Sequence, residues 1–144
     1  MRILVSTVAA ALALFWATGA SAGVQRLLRP MQHMQRVMGM RVALHAPAYP
    51  WYRQVWEGYQ HPPHKAAWLC IHRYEGSWKD RWDPYWGGLQ FDRQFMDTYG
   101  SYLVRLKGYS GWSVLEQMWT AEKAFRSGRG FGPWPNTARY CGLI

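Results

Sequence analysis

The chain predicts an α+β domain, mostly helical, with one short β-hairpin beside its second helix. Three observations carry this expectation. Apolar residues recur at three-four spacing in four stretches between residues 24 and 125, the mark of amphipathic helices. The Trp/Tyr-rich stretch Trp78–Phe91 lacks that period and contains the turn signal Asp83-Pro84, which suits a hairpin. The length left after an N-terminal leader suffices for one domain with a single core.

Residues 1–22 open with one charge, Arg2, continue as an apolar run to about Thr18, and close on Ala20-Ser21-Ala22. This is the form of a secretory signal peptide, with an uncleaved signal anchor as the alternative. The expected location is therefore secreted, extracellular or associated with the cell wall. Residues 23–63 read as an N-terminal extension and 64–144 as the domain proper. The formal charge of +9 suits anionic surfaces such as wall polymers or lipid headgroups, although a merely soluble basic surface would look the same. Export argues against nucleic acid as a partner, and protein partners are left unassigned.

The two cysteines, Cys70 and Cys141, are an even count in an oxidising compartment, so one disulfide is expected. No CxxC or HExxH pattern occurs and the five histidines are scattered, so neither a metal nor a cofactor is expected.

In chain order, Arg26–Arg41 reads as a basic, Met-rich amphipathic helix that starts firmly at Pro30. Its apolar stripe could pack on the domain, or the segment could contact a membrane or wall surface. His45–Pro63, with Pro47, Pro50, Pro62 and Pro63 among aromatics, reads as a linker with a short helix inside it. Pro63–Tyr74 is the second helix, ended by Gly76 in a left-handed cap. Asp92 caps a third helix reaching about Leu106, which Gly100 can split. Ser113 and Glu116 form a capping box that opens the fourth. The stretch from Phe131 onward reads as irregular, pinned back by Cys141.

Glu75 is the singular feature. Trp68, Ile71 and Glu75 share one helical face, which puts a carboxylate on the stripe to be buried and at the negative end of the helix dipole. Both circumstances favour the protonated form, so Glu75 is expected to donate a proton near neutral pH. The plainer reading is a frayed last turn with Glu75 in water, or paired with Arg73 or Lys79. The Gly87-Gly88 pair suggests close approach of a ligand or of another backbone. The indoles and phenols around it are either core or stacking platforms for sugar rings.

Three stretches resemble a known family: WLCIHRYEG over Trp68–Gly76, WGGLQF over Trp86–Phe91, and Gly132-Pro133-Trp134-Pro135 with Cys141. Their order and spacing are similar to the resuscitation-promoting factor core, a transglycosylase-like domain, from about Trp68 to Leu143. The resemblance implies a small lysozyme-like fold and cleavage of peptidoglycan at the β-1,4 bond between N-acetylmuramic acid and N-acetylglucosamine. It implies Glu75 as catalytic residue and Tyr85, Trp86, Gly87, Gly88, Gln90 and Trp134 as substrate-binding residues. The sequence departs from the family in three places. The cysteine usual just before the glutamate is replaced by Tyr74 and moved to Cys70, a groove threonine is replaced by Phe95, and the loop 79–84 is shortened.

Glycosidases normally pair two carboxylates. Asp80, Asp83 and Asp92 are the nearby acids, but Asp83 sits in a turn and Asp92 serves a cap. A single-acid mechanism completed by the substrate's own hydroxyl or acetamido group is therefore expected, as in a lytic transglycosylase, with hydrolysis by a muramidase as its variant. The competing expectation is a non-catalytic module that binds cell-wall glycan. A membrane-active role for Arg26–Arg41 is a third.

Overall fold

The structure is a computed structural model that describes residues 23–45 and 48–144. The leader expected at 1–22, and Pro47, lie outside them. Helices follow in the order α1 (residues 23–38), α2 (Tyr49–Gln60), α3 (Lys65–Glu75), α4 (Arg93–Tyr99), α5 (Ser101–Lys107), α6 (Val114–Ala124) and α7 (Pro135–Tyr140). A widened π-helical turn, Phe125–Arg129, continues α6. The domain is mostly helical, and none of its described helices is long and apolar enough to cross a membrane.

The expected hairpin is not there. Among the described residues the only β pairing is a single antiparallel bridge, in which Trp86 and Phe91 exchange both backbone bonds at 2.9 Å. The turn it closes is Gly87–Gln90 rather than Asp83-Pro84. Gly87 and Gln90 both adopt positive φ, 73° and 50°, which curls the chain at once. The stretch before it cannot extend, because Asp80 gathers it into a coil. Its side chain accepts from Trp82 N–H and its carbonyl accepts from Gly87 N–H.

Helix α6 is buried on every side and carries four polar residues into the core, Glu116, Gln117, Thr120 and Glu122. Each has partners, and among the described residues no buried side-chain nitrogen or oxygen lacks one. Ser113 and Glu116 close the expected capping box at the helix start. Glu122 accepts from the backbone N–H of His64 (2.7 Å) and the indole N–H of Trp68 (2.8 Å), with His64 Nδ1 at 3.0 Å. Those bonds seat the first turns of α3, whose Trp68 and Ile71 are fully buried.

Asp92 caps α4 through Phe95 N–H at 2.7 Å, as expected. The third helix is split at Gly100 into α4 and α5. A Cβ there would stand 2.2 Å from the Trp112 ring, so the indole needs the glycine. Helix α1 runs through Pro30 rather than starting at it. Pro30 is exposed, so the carbonyl that loses its helical partner faces water. The α1 stripe packs into the common core, with Met31, Met34, Val37 and Met38 buried and Arg26, Arg29, Arg36 and Arg41 exposed. The short helix expected inside the linker is present as α2, twelve residues long, and it buries Val55 and Tyr59.

Glu116 ties α1 and α5 to α6. Lys107 Nζ donates to both its oxygens (2.8 and 2.9 Å), and His33 Nε2 lies 3.0 Å away. Burial alone would raise this carboxyl, but bonds from His33, Lys107 and Ser113 N–H outweigh it and hold the group at about 2, below its ordinary 4.5. A carboxyl held down in the folded state stabilises above its unfolded value and loses that stabilisation as pH falls through the folded one. The urea midpoint is therefore expected to fall between pH 4.5 and 2. Glu116→Gln should start lower and show a flatter decline over the same window.

Candidate functional site

Glu75 ends α3. Trp68 and Ile71 hold the stripe beneath it in the core, but the helix stops at Glu75, which emerges half-buried at the rim of a cleft. The full burial expected from helical register is not present. Gly76 does not take the expected left-handed cap. Its φ of 166° is extended, and a glycine fits because a Cβ would stand 2.9 Å from Gln90 Nε2.

The cleft holds about 400 Å³ and is lined by Glu75, Tyr85, Gln90, Pro133, Trp134, Pro135 and Asn136. A neighbouring hollow of about 490 Å³ shares Tyr85, Gln90, Pro133 and Trp134 and extends the groove to Asp92 and Arg129. One wall comes from the turn after α3 and the other from α7. The Cys70–Cys141 disulfide, with Cα atoms 6.0 Å apart, joins α3 to the end of α7. Where an irregular tail was expected, α7 stands as a short helix started by Pro135. From its inner face Thr137 Oγ1 donates to Glu75 Oε1 at 2.8 Å.

The structure thus brings Glu75, Tyr85, Gln90 and Trp134 to one cleft and leaves three expected residues elsewhere. Tyr85 is half exposed and free to meet a ligand. Gln90 commits both amide hydrogens inward, to Asp80 Oδ2 (3.0 Å) and Gly87 O (2.9 Å), so its side-chain carbonyl is what it offers the groove. Trp134 shows the cleft only an edge. Its indole N–H donates to Leu89 O at 2.7 Å and its ring packs on Trp68, Phe91 and Phe95.

Trp86 and Gly87 line a different, smaller cavity of about 80 Å³, with Tyr109 and Trp112. The close approach at the Gly-Gly pair is made by the protein itself. A Cβ on Gly87 would stand 2.2 Å from Gln117 Oε1, and one on Gly88 2.6 Å from both His72 Nδ1 and Trp78. Gln117 Oε1 accepts from Gly88 N–H at 2.8 Å, and its amide donates to the Trp78 and Trp112 carbonyls.

Two of the three candidate second acids are engaged, and Asp83 is largely exposed. Asp80 accepts from Gln90 and from Trp82 N–H, which lower its carboxyl below the ordinary range. Asp83 lies 3.8 Å from Arg93, and Asp92 is occupied as the α4 cap. Glu75 therefore stands as the one carboxylate of its cleft, with Oε2 turned to no protein partner among the described residues.

Sequence reasoning missed Thr137, Asn136 and Gln117. Thr137 had a signal: it lies four residues before Cys141, so a helix there turns it toward whatever the disulfide holds. Compared with family models, with characterised proteins and with solved structures, the chain matches none.

The bridge spans 71 residues and ties α3, which bears Glu75, to the end of α7. Its loss is expected to lower stability by on the order of 4 kcal/mol in the chain-entropy account. Urea unfolding of Cys141→Ser against the oxidised parent measures this, and a reducing agent should move only the parent.

Proposed function

We propose that the protein is a secreted peptidoglycan-cleaving enzyme with a lysozyme-like fold, using Glu75 as its single general acid. The observation that carries this reading is the lone carboxylate lining its cleft at the end of an open groove, with Asp80 and Asp92 hydrogen-bonded to other groups. The resemblance of Trp68–Gly76 and Trp86–Phe91 to the resuscitation-promoting factor core supports the choice of substrate. The leader pattern and the disulfide support the compartment.

In this reading a glycan strand lies along the groove past Tyr85 and Gln90, with the muramic acid–glucosamine linkage at Glu75. The carboxylic acid gives its proton to the glycosidic oxygen as the bond to the anomeric carbon breaks. The carboxylate then takes the proton of the muramic 6-hydroxyl as that oxygen closes on the anomeric carbon, leaving an anhydro sugar. Water in place of the hydroxyl gives the muramidase outcome. The exposed arginines between 26 and 41 are the surface we assign to contact with anionic wall or membrane polymers.

Purified sacculi followed by turbidity test the reading. Glu75→Gln is expected to slow clearing by about 10²-fold or more, the usual contribution of a positioned acid. Mass spectrometry of the parent's products should show anhydro ends. Undiminished clearing by Glu75→Gln overturns the assignment, and wall binding without any clearing by the parent favours a binding module.

A further inference from the structure

We infer that Thr137 is a positioning residue for Glu75, selecting which carboxyl oxygen carries the proton that is donated. The inference rests on the reading of Glu75 as general acid and goes beyond it. The Thr137 hydroxyl has one hydrogen and two acceptors in reach, Glu75 Oε1 at 2.8 Å and its own helix's Trp134 O at 3.3 Å. The shorter and charged partner takes the stronger bond when Glu75 is ionised. When Glu75 is protonated, the same bond requires Oε1 to act as the carbonyl oxygen. The acidic hydrogen then belongs on Oε2, the oxygen with no protein partner among the described residues.

A carboxylic acid without such a partner can carry its proton on either oxygen and turn about its last bond. Thr137 biases that choice: placing the proton on Oε1 would need the hydroxyl to turn its hydrogen to Trp134 O at 3.3 Å, a longer bond than the 2.8 Å one to Oε1. The six-residue helix bearing Thr137 is held in place at both ends. Trp134, just before α7, is locked by its indole bond to Leu89 O, and Cys141, just after it, is bonded to Cys70 on α3. Thr137 is itself buried, so little water competes for its hydroxyl. Acid and partner are thus joined by a hydroxyl bond and, about one helical turn before Glu75 and one after Thr137, by a covalent one.

Thr137→Val keeps the shape and removes the hydroxyl, and Thr137→Ser keeps the hydroxyl. With sacculi as substrate, Thr137→Val is expected to lower kcat by about tenfold or more while KM moves by less than about twofold, since only transition-state positioning is lost. Thr137→Ser should recover most of the rate. Carbon-13 spectra of protein labelled at the glutamate side-chain carboxyls, with the Glu75 resonance assigned through Glu75→Gln, should show that resonance displaced in Thr137→Val and restored in Thr137→Ser. Thermal melts identify a variant that fails to fold, in which case Thr137→Ala carries the same comparison. An unmoved Glu75 resonance, an unchanged kcat in Thr137→Val, or a Thr137→Ser as slow as Thr137→Val overturns the inference. Full activity in Glu75→Gln overturns the underlying acid assignment instead, and the carboxyl resonance still reports on the bond.

Discussion

The structure depends on the burial of four polar side chains along α6. A helix surrounded on all sides normally carries only apolar residues, because an unmatched polar group in the interior costs about 1–3 kcal/mol. Here three of them reach different parts of the chain, while Thr120 donates back to the Glu116 carbonyl of its own helix. Glu122 seats the start of α3, Glu116 gathers α5 and α1, and Gln117 pins the Gly87–Gln90 turn and two tryptophan carbonyls. The two elements that meet at Glu75's cleft, the end of α3 and the turn carrying Gln90, are both positioned from this one helix. Removing Glu116, Gln117 or Glu122 would leave several orphaned partners at once.

The high tryptophan content is explained by the same need. Indoles are large enough to fill a small core and carry one hydrogen that must be satisfied. Trp112, Trp119 and Trp134 each donate it to a backbone carbonyl, of Gly108, Tyr59 and Leu89, and Trp68 donates to Glu122. Each therefore braces two segments in addition to filling space. Trp82, Trp56 and Trp51 remain exposed, so the surplus that a core of this size cannot hold is found outside the cleft. At the other end of the core, Arg126 donates to the Met38 carbonyl and so closes the C-terminal end of α1 against α6.

What was legible in the sequence was mostly local. The Asp92 cap, the split at Gly100 and the Ser113–Glu116 box are decided within a few residues, and all are present. The Cys70–Cys141 pairing was legible because two cysteines permit one bridge. What was not legible depended on partners distant in sequence. The Gly87-Gly88 pair does mark a close approach, but only the fold reveals that Gln117, His72 and Trp78 fill it. Periodicity placed Glu75 on the buried face correctly as a register, yet could not tell that the helix ends just as that face reaches the rim. The hairpin failed for a related reason: aromatic residues and an Asp-Pro step suit strands, but Asp80 and the positive φ angles curl the segment before strands can pair. A tail rich in proline and glycine hid α7, because Pro135 is there a helix starter rather than a breaker.

The hydroxyl bond between Thr137 and Glu75 joins residues 62 apart in sequence. During synthesis, Glu75 and the whole of α3 leave the ribosome well before the wall opposite them exists. A nascent chain therefore displays its carboxylate on an open half-cleft, and the geometry closes only when α7 docks and the second cysteine arrives to be oxidised. The order of assembly thus makes the finished cleft a late event, coupled to the arrival of α7 and the oxidation of Cys141 rather than to the folding of the helix that bears the acid.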